Sequence, residues 1–107
     1  MTISVPTSPG PIALVGVARP RPERAGELRA LLTSFVAPTR VEPGSIHYLL
    51  HEDANGSFVF YEGWASAAAL ARHLELPHMR AFQERRMEYL ATDLEITWLT
   101  PVPGSPS

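Results

Sequence analysis

The side chains of this chain best suited to chemistry gather in one run, Phe58-Val59-Phe60-Tyr61-Glu62-Gly63-Trp64. Alternation with a period of two puts Phe58, Phe60, Glu62 and Trp64 on one face of a strand and Val59, Tyr61 and Gly63 on the other. Both faces are apolar, so both are expected to be buried. A carboxylate between Phe60 and Trp64 is desolvated there, and Glu62 must either pair with a cation or keep a proton. A structural ion pair or hydrogen bond meets that requirement as well as a catalytic role does. Trp64 fills a core equally well, but its indole N–H needs a partner, which suits it to orienting an aromatic ligand.

Four histidines are the other candidates. His47 and His51 share a strand face four residues apart, too far along a strand for easy joint metal ligation, and are expected at a surface or an interface. His73 follows Leu70 by three residues and precedes Leu76 by three, so on a helix it borders the stripe facing the sheet. His78 comes just after Pro77, close to the unsatisfied N–H groups at the start of the next helical segment. A satisfied structural histidine and a proton-transfer group are both open for His73 and His78. There is no GxGxxG, GxSxG, HExxH or calcium-loop pattern, so neither a metal nor an organic cofactor is assigned.

Composition narrows the chemistry further. The chain has 107 residues and no cysteine, and all nine of its basic residues are arginine. Without lysine there is no Schiff base and no P-loop; without cysteine there is no thiol nucleophile, zinc ribbon, iron–sulfur cluster or disulfide. A net charge of −2 gives no pull towards nucleic acid or an anionic membrane. No apolar run approaches the roughly 18 residues of a membrane span, and no basic region followed by an apolar stretch opens the chain. A cytoplasmic protein is expected.

The elements that must position these residues follow from periodicity and turn chemistry. Residues 12–19 read as a buried strand closed by Pro20-Arg21-Pro22. Leu28, Leu31, Leu32 and Phe35 then mark an amphipathic helix that Pro38 kinks or ends. Glu42-Pro43-Gly44 is a turn into a second strand, residues 45–52, and Asp53-Ala54-Asn55-Gly56 is hairpin chemistry before the third. Ser66 is a plausible N-cap for a helix over residues 67–76, and a further helical stretch runs from Pro77 to about Leu90. Residues 94–100 form the last strand. Strand, helix, strand, strand, helix, strand is the split βαβ order of an α+β, ferredoxin-like sandwich, with helices on one face of a four-stranded antiparallel sheet. Residues 12–102 form one domain, flanked by Pro-rich tails (1–11 and 103–107) expected to be flexible. Apolar residues on both faces of strands one and three call for a second subunit over the open face.

Three segments carry a family resemblance: Glu42-Pro43-Gly44-Ser45-Ile46-His47-Tyr48, Phe60-Tyr61-Glu62-Gly63-Trp64-Ala65-Ser66, and Ala69-Leu70-Ala71-Arg72-His73 followed by Pro77-His78 and Phe82. In this order they resemble the antibiotic biosynthesis monooxygenase (ABM) family, over essentially all of residues 12–100. The resemblance implies a dimeric α+β barrel, two subunits packed through their sheets, with a pocket between sheet and helices in each. It also implies a cofactor-independent monooxygenase that oxidises a small phenolic, quinol or polycyclic aromatic substrate with molecular oxygen. The carried-over residues are Glu62, His73 and His78 for catalysis, with His73 preferred as the base, and Trp64, Tyr48, Phe60 and Phe82 for substrate binding. The haem-degrading branch resembles this chain less, because the only asparagine, Asn55, falls in a hairpin turn. An isomerase that moves protons through the same histidines and a non-catalytic ligand-binding module are the alternatives. If His73 is the base, His73→Ala abolishes oxygen uptake on an active substrate while the chain stays folded; full uptake by that variant removes His73 from the role.

Overall fold

The computed structural model describes residues 3–104. In chain order the elements are β1 (Ile12–Ala18), α1 (Ala25–Arg40), β2 (Ser45–Glu52), β3 (Phe58–Trp64), α2 (Ala67–Glu75), α3 (Pro77–Arg85) and β4 (Glu95–Leu99). Single 3-10 turns occupy Pro22–Arg24 and Arg86–Glu88. The strands make one antiparallel sheet in the order β2-β3-β1-β4, the ferredoxin-like arrangement expected from the element order.

Local chemistry explains where the elements stop. Pro38 does not end α1, which continues to Arg40. Pro38 offers no N–H to the Ser34 carbonyl, but Ser34 is exposed and water can take that acceptor. Ser66 caps α2 by accepting the Ala69 N–H at 3.1 Å. The helix stops at Glu75, because Leu76 precedes a proline and is extended, with φ −62° and ψ 143°. The third helix is shorter than expected. After Arg85 the chain tightens and turns back, and Leu90, fully buried, bridges to Pro20 at the exit of β1.

Register lays out the inner face of the sheet in rows. Trp98, Leu14, Glu62 and Tyr48 stand side by side across all four strands, and Ile96, Gly16, Phe60 and Leu50 form the adjacent row. Gly16 is a spatial requirement: a Cβ there would lie 2.1 Å from Cζ of Phe60, whose ring crosses the strand at that point. Above these rows lie the buried stripes of α1 (Leu28, Leu32, Phe35), α2 (Ala69, Leu70, His73) and α3 (Met79, Phe82, Gln83). Each leucine-sized side chain buried this way contributes roughly 1.5–3 kcal/mol.

Among the described residues no helix lies over the opposite face of the sheet. It carries half-buried Val15, Val17, Val59 and Tyr61, with Leu49 and Leu99 exposed at 40% and 37%. His47 and His51 stand on this face, His47 over Gly63 and 5.9 Å from the Tyr61 ring. Residues 3–11 form neither helix nor strand, yet Ile3 and Val5 are half-buried against the body. The tail expectations for residues 1–2 and 105–107 fall outside the described residues.

Glu42-Pro43-Gly44-Ser45 closes as a turn through the Ser45 N–H to Glu42 carbonyl bond of 3.1 Å, with proline second and a left-handed glycine third. Gly44 has φ +86°, and a Cβ added to it would meet the Ala69 Cβ at 2.6 Å. Gly44→Ala therefore combines backbone strain with a clash, and should cost about 2–4 kcal/mol in urea unfolding. Gly56→Ala, at φ +82° with open space around it, isolates the backbone share and should cost less.

Candidate active site

The two rows of β-strand residues form the floor of an apolar cavity, and α1, α2 and α3 form its roof. Its volume is about 40 Å³, and its polar members are Tyr48, Glu62 and Gln83. Four of the seven residues singled out in the sequence line it: Tyr48, Phe60, Glu62 and Phe82. Trp64 and His73 stand behind its wall, fully or almost fully buried. His78 lies apart, exposed, on a separate cleft against Phe35, their rings 5.6 Å apart.

Glu62 is 6% exposed, and its partner is local. The Trp64 indole Nε1–H donates to a Glu62 carboxyl oxygen at 3.0 Å, two residues along the same strand face. Burial pushes the Glu62 carboxyl up to about 7; the indole N–H opposes that shift and the charge of Glu42 adds to it. Tyr48, directly across the strand pair from Glu62, is held well above the ordinary tyrosine value by burial first, then by Glu62 and Glu42. Near neutral pH the cavity thus presents a phenol that keeps its proton and a carboxyl that exchanges one.

His73, buried, pairs with the partly buried Glu42. Its Nδ1–H donates to Glu42 Oε2 at 2.8 Å, across 31 residues of sequence. Its ring packs on Trp64 with centroids 4.8 Å apart and meets Tyr48 edge-on at 6.0 Å. Burial holds the imidazole below its ordinary value in spite of Glu42, so it is neutral at pH 7. With the proton on Nδ1, Nε2 is an acceptor, and it is buried without a hydrogen-bond partner among the described residues.

Sequence reasoning missed three contributors. Glu42 is legible in the sequence as a turn residue; in the fold its carboxylate accepts from His73. Gln83, 5% exposed, donates to the carbonyls of Leu74 at 2.8 Å and Met79 at 3.2 Å. Its i+4 spacing from Met79 on the buried stripe of α3 was the available signal. Ile3 lines the cavity from a segment that periodicity cannot reach. No group of three or more His, Asp or Glu among the described residues is gathered to hold a metal ion.

A ferredoxin-like sheet with one helical layer over it and a mostly apolar cavity between them defines a small two-layer α+β domain. The chain belongs to the antibiotic biosynthesis monooxygenase family, whose model matches residues 11–85. It is 38% identical over 88 residues to the uncharacterised protein sll1783 of Synechocystis, a match covering 80% of this chain but 60% of that relative's length. It is 36% identical to Rv0793 of Mycobacterium tuberculosis, provisionally named a monooxygenase, over 86% of this chain and 92% of that protein. The solved structure of Rv0793 superposes with a TM-score of 0.83, at 34% identity and 90% and 99% coverage of the two chains. That of PA3566 from Pseudomonas aeruginosa gives 0.79, at 30% identity and 87% and 95% coverage.

The pH dependence of stability reports on Glu62. The folded chain keeps this proton up to about pH 7, whereas the unfolded chain releases it near the ordinary 4.5, so stability falls as pH rises between those values. His73 acts in the opposite sense: its lowered value means stability is lost as pH falls below about 6.5. Glu62→Gln keeps an acceptor for Trp64 but cannot titrate. The stability of wild type relative to Glu62→Gln should fall on the order of 3 kcal/mol from pH 4.5 to pH 7 and level off above it. A pH-independent difference between the two proteins would mean that Glu62 titrates normally.

Proposed function

We propose that this protein is a cofactor-independent monooxygenase that oxidises a small phenolic or polycyclic aromatic substrate with molecular oxygen, and that Glu62 is its base. The observation that carries the reading is a carboxyl placed in a mostly apolar cavity and poised near neutrality. Such a group exchanges a proton with a phenol or an acidic ring carbon where water does not screen the resulting anion. Glu62 is favoured over His73 because it lines the cavity, whereas the Nδ1–H of His73 is committed to Glu42.

The chemistry balances without an added reductant. Glu62 takes the acidic proton, and the electron-rich anion gives one electron to oxygen. The superoxide and substrate radicals combine at a ring carbon bearing hydrogen, and Glu62 returns its proton to the peroxide. Loss of the hydrogen from that carbon as a proton then breaks the O–O bond. One oxygen atom stays as the quinone carbonyl and the other leaves as water, the substrate having lost two hydrogens and four electrons. Tyr48, which keeps its proton, serves as a hydrogen-bond donor to the substrate oxygen, and Phe60 and Phe82 supply aromatic walls.

The apolar outer face of the sheet supports a homodimer packed through that face, giving the α+β barrel. No helix among the described residues is long and apolar enough to cross a membrane; with the charge balance, this supports a cytoplasmic site of action without nucleic acid or membrane partners. The same carboxyl could serve an isomerase, and turnover under anaerobic conditions would assign that class instead.

Oxygen-electrode assays on hydroxylated naphthalenes and anthrones test the reading. Glu62→Gln should lower kcat by roughly 10²–10⁴-fold, and the wild-type rate should rise with pH through about 7. His73→Ala should retain part of the activity. The reverse pattern would return the base role to His73.

A further inference from the structure

The cavity that holds Glu62 is narrow. At about 40 Å³ it is well short of the roughly 150 Å³ that accommodates a benzene ring, so any aromatic requires part of its lining to move. Most of the lining belongs to strands and helices packed on both sides. Ile3 does not. It comes from the segment before β1, is half-buried, and its N–H makes one long hydrogen bond, 3.5 Å to Gln83 Oε1.

Ile3 and Gln83 occupy a particular place. Both line the inner cavity, and both also line an open cleft of about 390 Å³ between α3 and β4, beside Trp98, Ile96 and Arg86. Both line a smaller cleft of about 80 Å³ along Leu74 and Arg80 as well. Alone among the described residues they line the inside and both outer clefts; Leu94, Ile96 and Trp98 complete the wall towards the larger cleft and Leu74 the wall towards the smaller. Gln83 is the fixed half, because the Leu74 and Met79 carbonyls hold its side-chain amide and aim Oε1 at Ile3. Ile3 is the half that can withdraw.

We propose that Ile3 is the gate of this cavity and Gln83 its post, so that ligands reach Glu62 between α3 and β4 when residues 3–5 lift away. The gate selects flat two-ring aromatics, which can occupy the cavity and the place vacated by Ile3 together. That selectivity rests on the aromatic-substrate reading above; the gate itself does not. Arg86, committed to Asp93 at 2.6 and 2.9 Å, borders the outer cleft as a fixed rim.

Xenon enters dry apolar cavities without polar recognition, so its exchange rate, read by xenon NMR, tests the gate apart from any substrate. Ile3→Gly should speed exchange at least roughly tenfold, as expected when part of a buried isoleucine no longer has to leave, and Ile3→Trp should slow it. Exchange that ignores both substitutions, or the absence of a xenon signal in all three proteins, overturns the gate. 1-Naphthol binding, followed by tryptophan quenching, tests the selectivity: association should accelerate in Ile3→Gly. Xenon exchange that responds to Ile3 while naphthol binds no variant keeps the gate and overturns the aromatic selectivity with the proposed function.

Discussion

A carboxyl group sunk into the apolar face of a sheet and answered by one indole N–H is the constraint around which this structure is arranged. Among the described residues Glu62 has no cation beside it, so its burial is tolerated by two means: the hydrogen bond from Trp64 and retention of a proton through much of the neutral range. Both require a dry surrounding. The roof of Leu32, Phe35, Leu70 and Phe82 provides it, and the absent side chain at Gly16 lets the Phe60 ring lie flat beside the carboxyl's row.

Electrostatics within the core reinforce that state. Glu42, brought in by the turn that Gly44 permits, raises both Glu62 and Tyr48 while it fixes the proton of His73 on Nδ1. Two carboxyl side chains and one neutral imidazole thus share this region; among the described residues no arginine pairs with either carboxyl, and Arg40 donates instead to the Tyr48 carbonyl at 3.0 Å. Several of the nine arginines are spent in ion pairs further out, such as Arg86 with Asp93 and Arg85 with Glu88. Glu62 and Tyr48 in this region hold protons rather than charge through much of the neutral range.

What could be read in advance divides by range. The strand face of Phe58, Phe60, Glu62 and Trp64, the Ser66 cap and the proline break at Pro77 are local patterns, and each appears where periodicity or dihedral preference places it. Pro38 shows the limit of such rules, since a missing N–H near a solvent-facing helix end costs too little to stop the helix. His73 shows another limit. Its stripe faces the sheet as expected, but Leu70 reaches the cavity while His73 settles against Trp64 and Glu42, a division that depends on the placing of α2 over the sheet.

By itself the sequence determined the order of elements, the two alternating faces of the third strand, the family and the isolation of Glu62 among aromatics, because these depend on spacings of two, three or four residues. Tertiary structure decided the rest. It chose Trp64 over any arginine as the partner of Glu62, joined Glu42 to His73, sent His78 to the outside and set Ile3 against Gln83, 80 residues away. It also set the size of the cavity, which is the small space left when three helical stripes close on two rows of strand residues. No local pattern encodes that remainder, because it depends on how closely distant side chains pack.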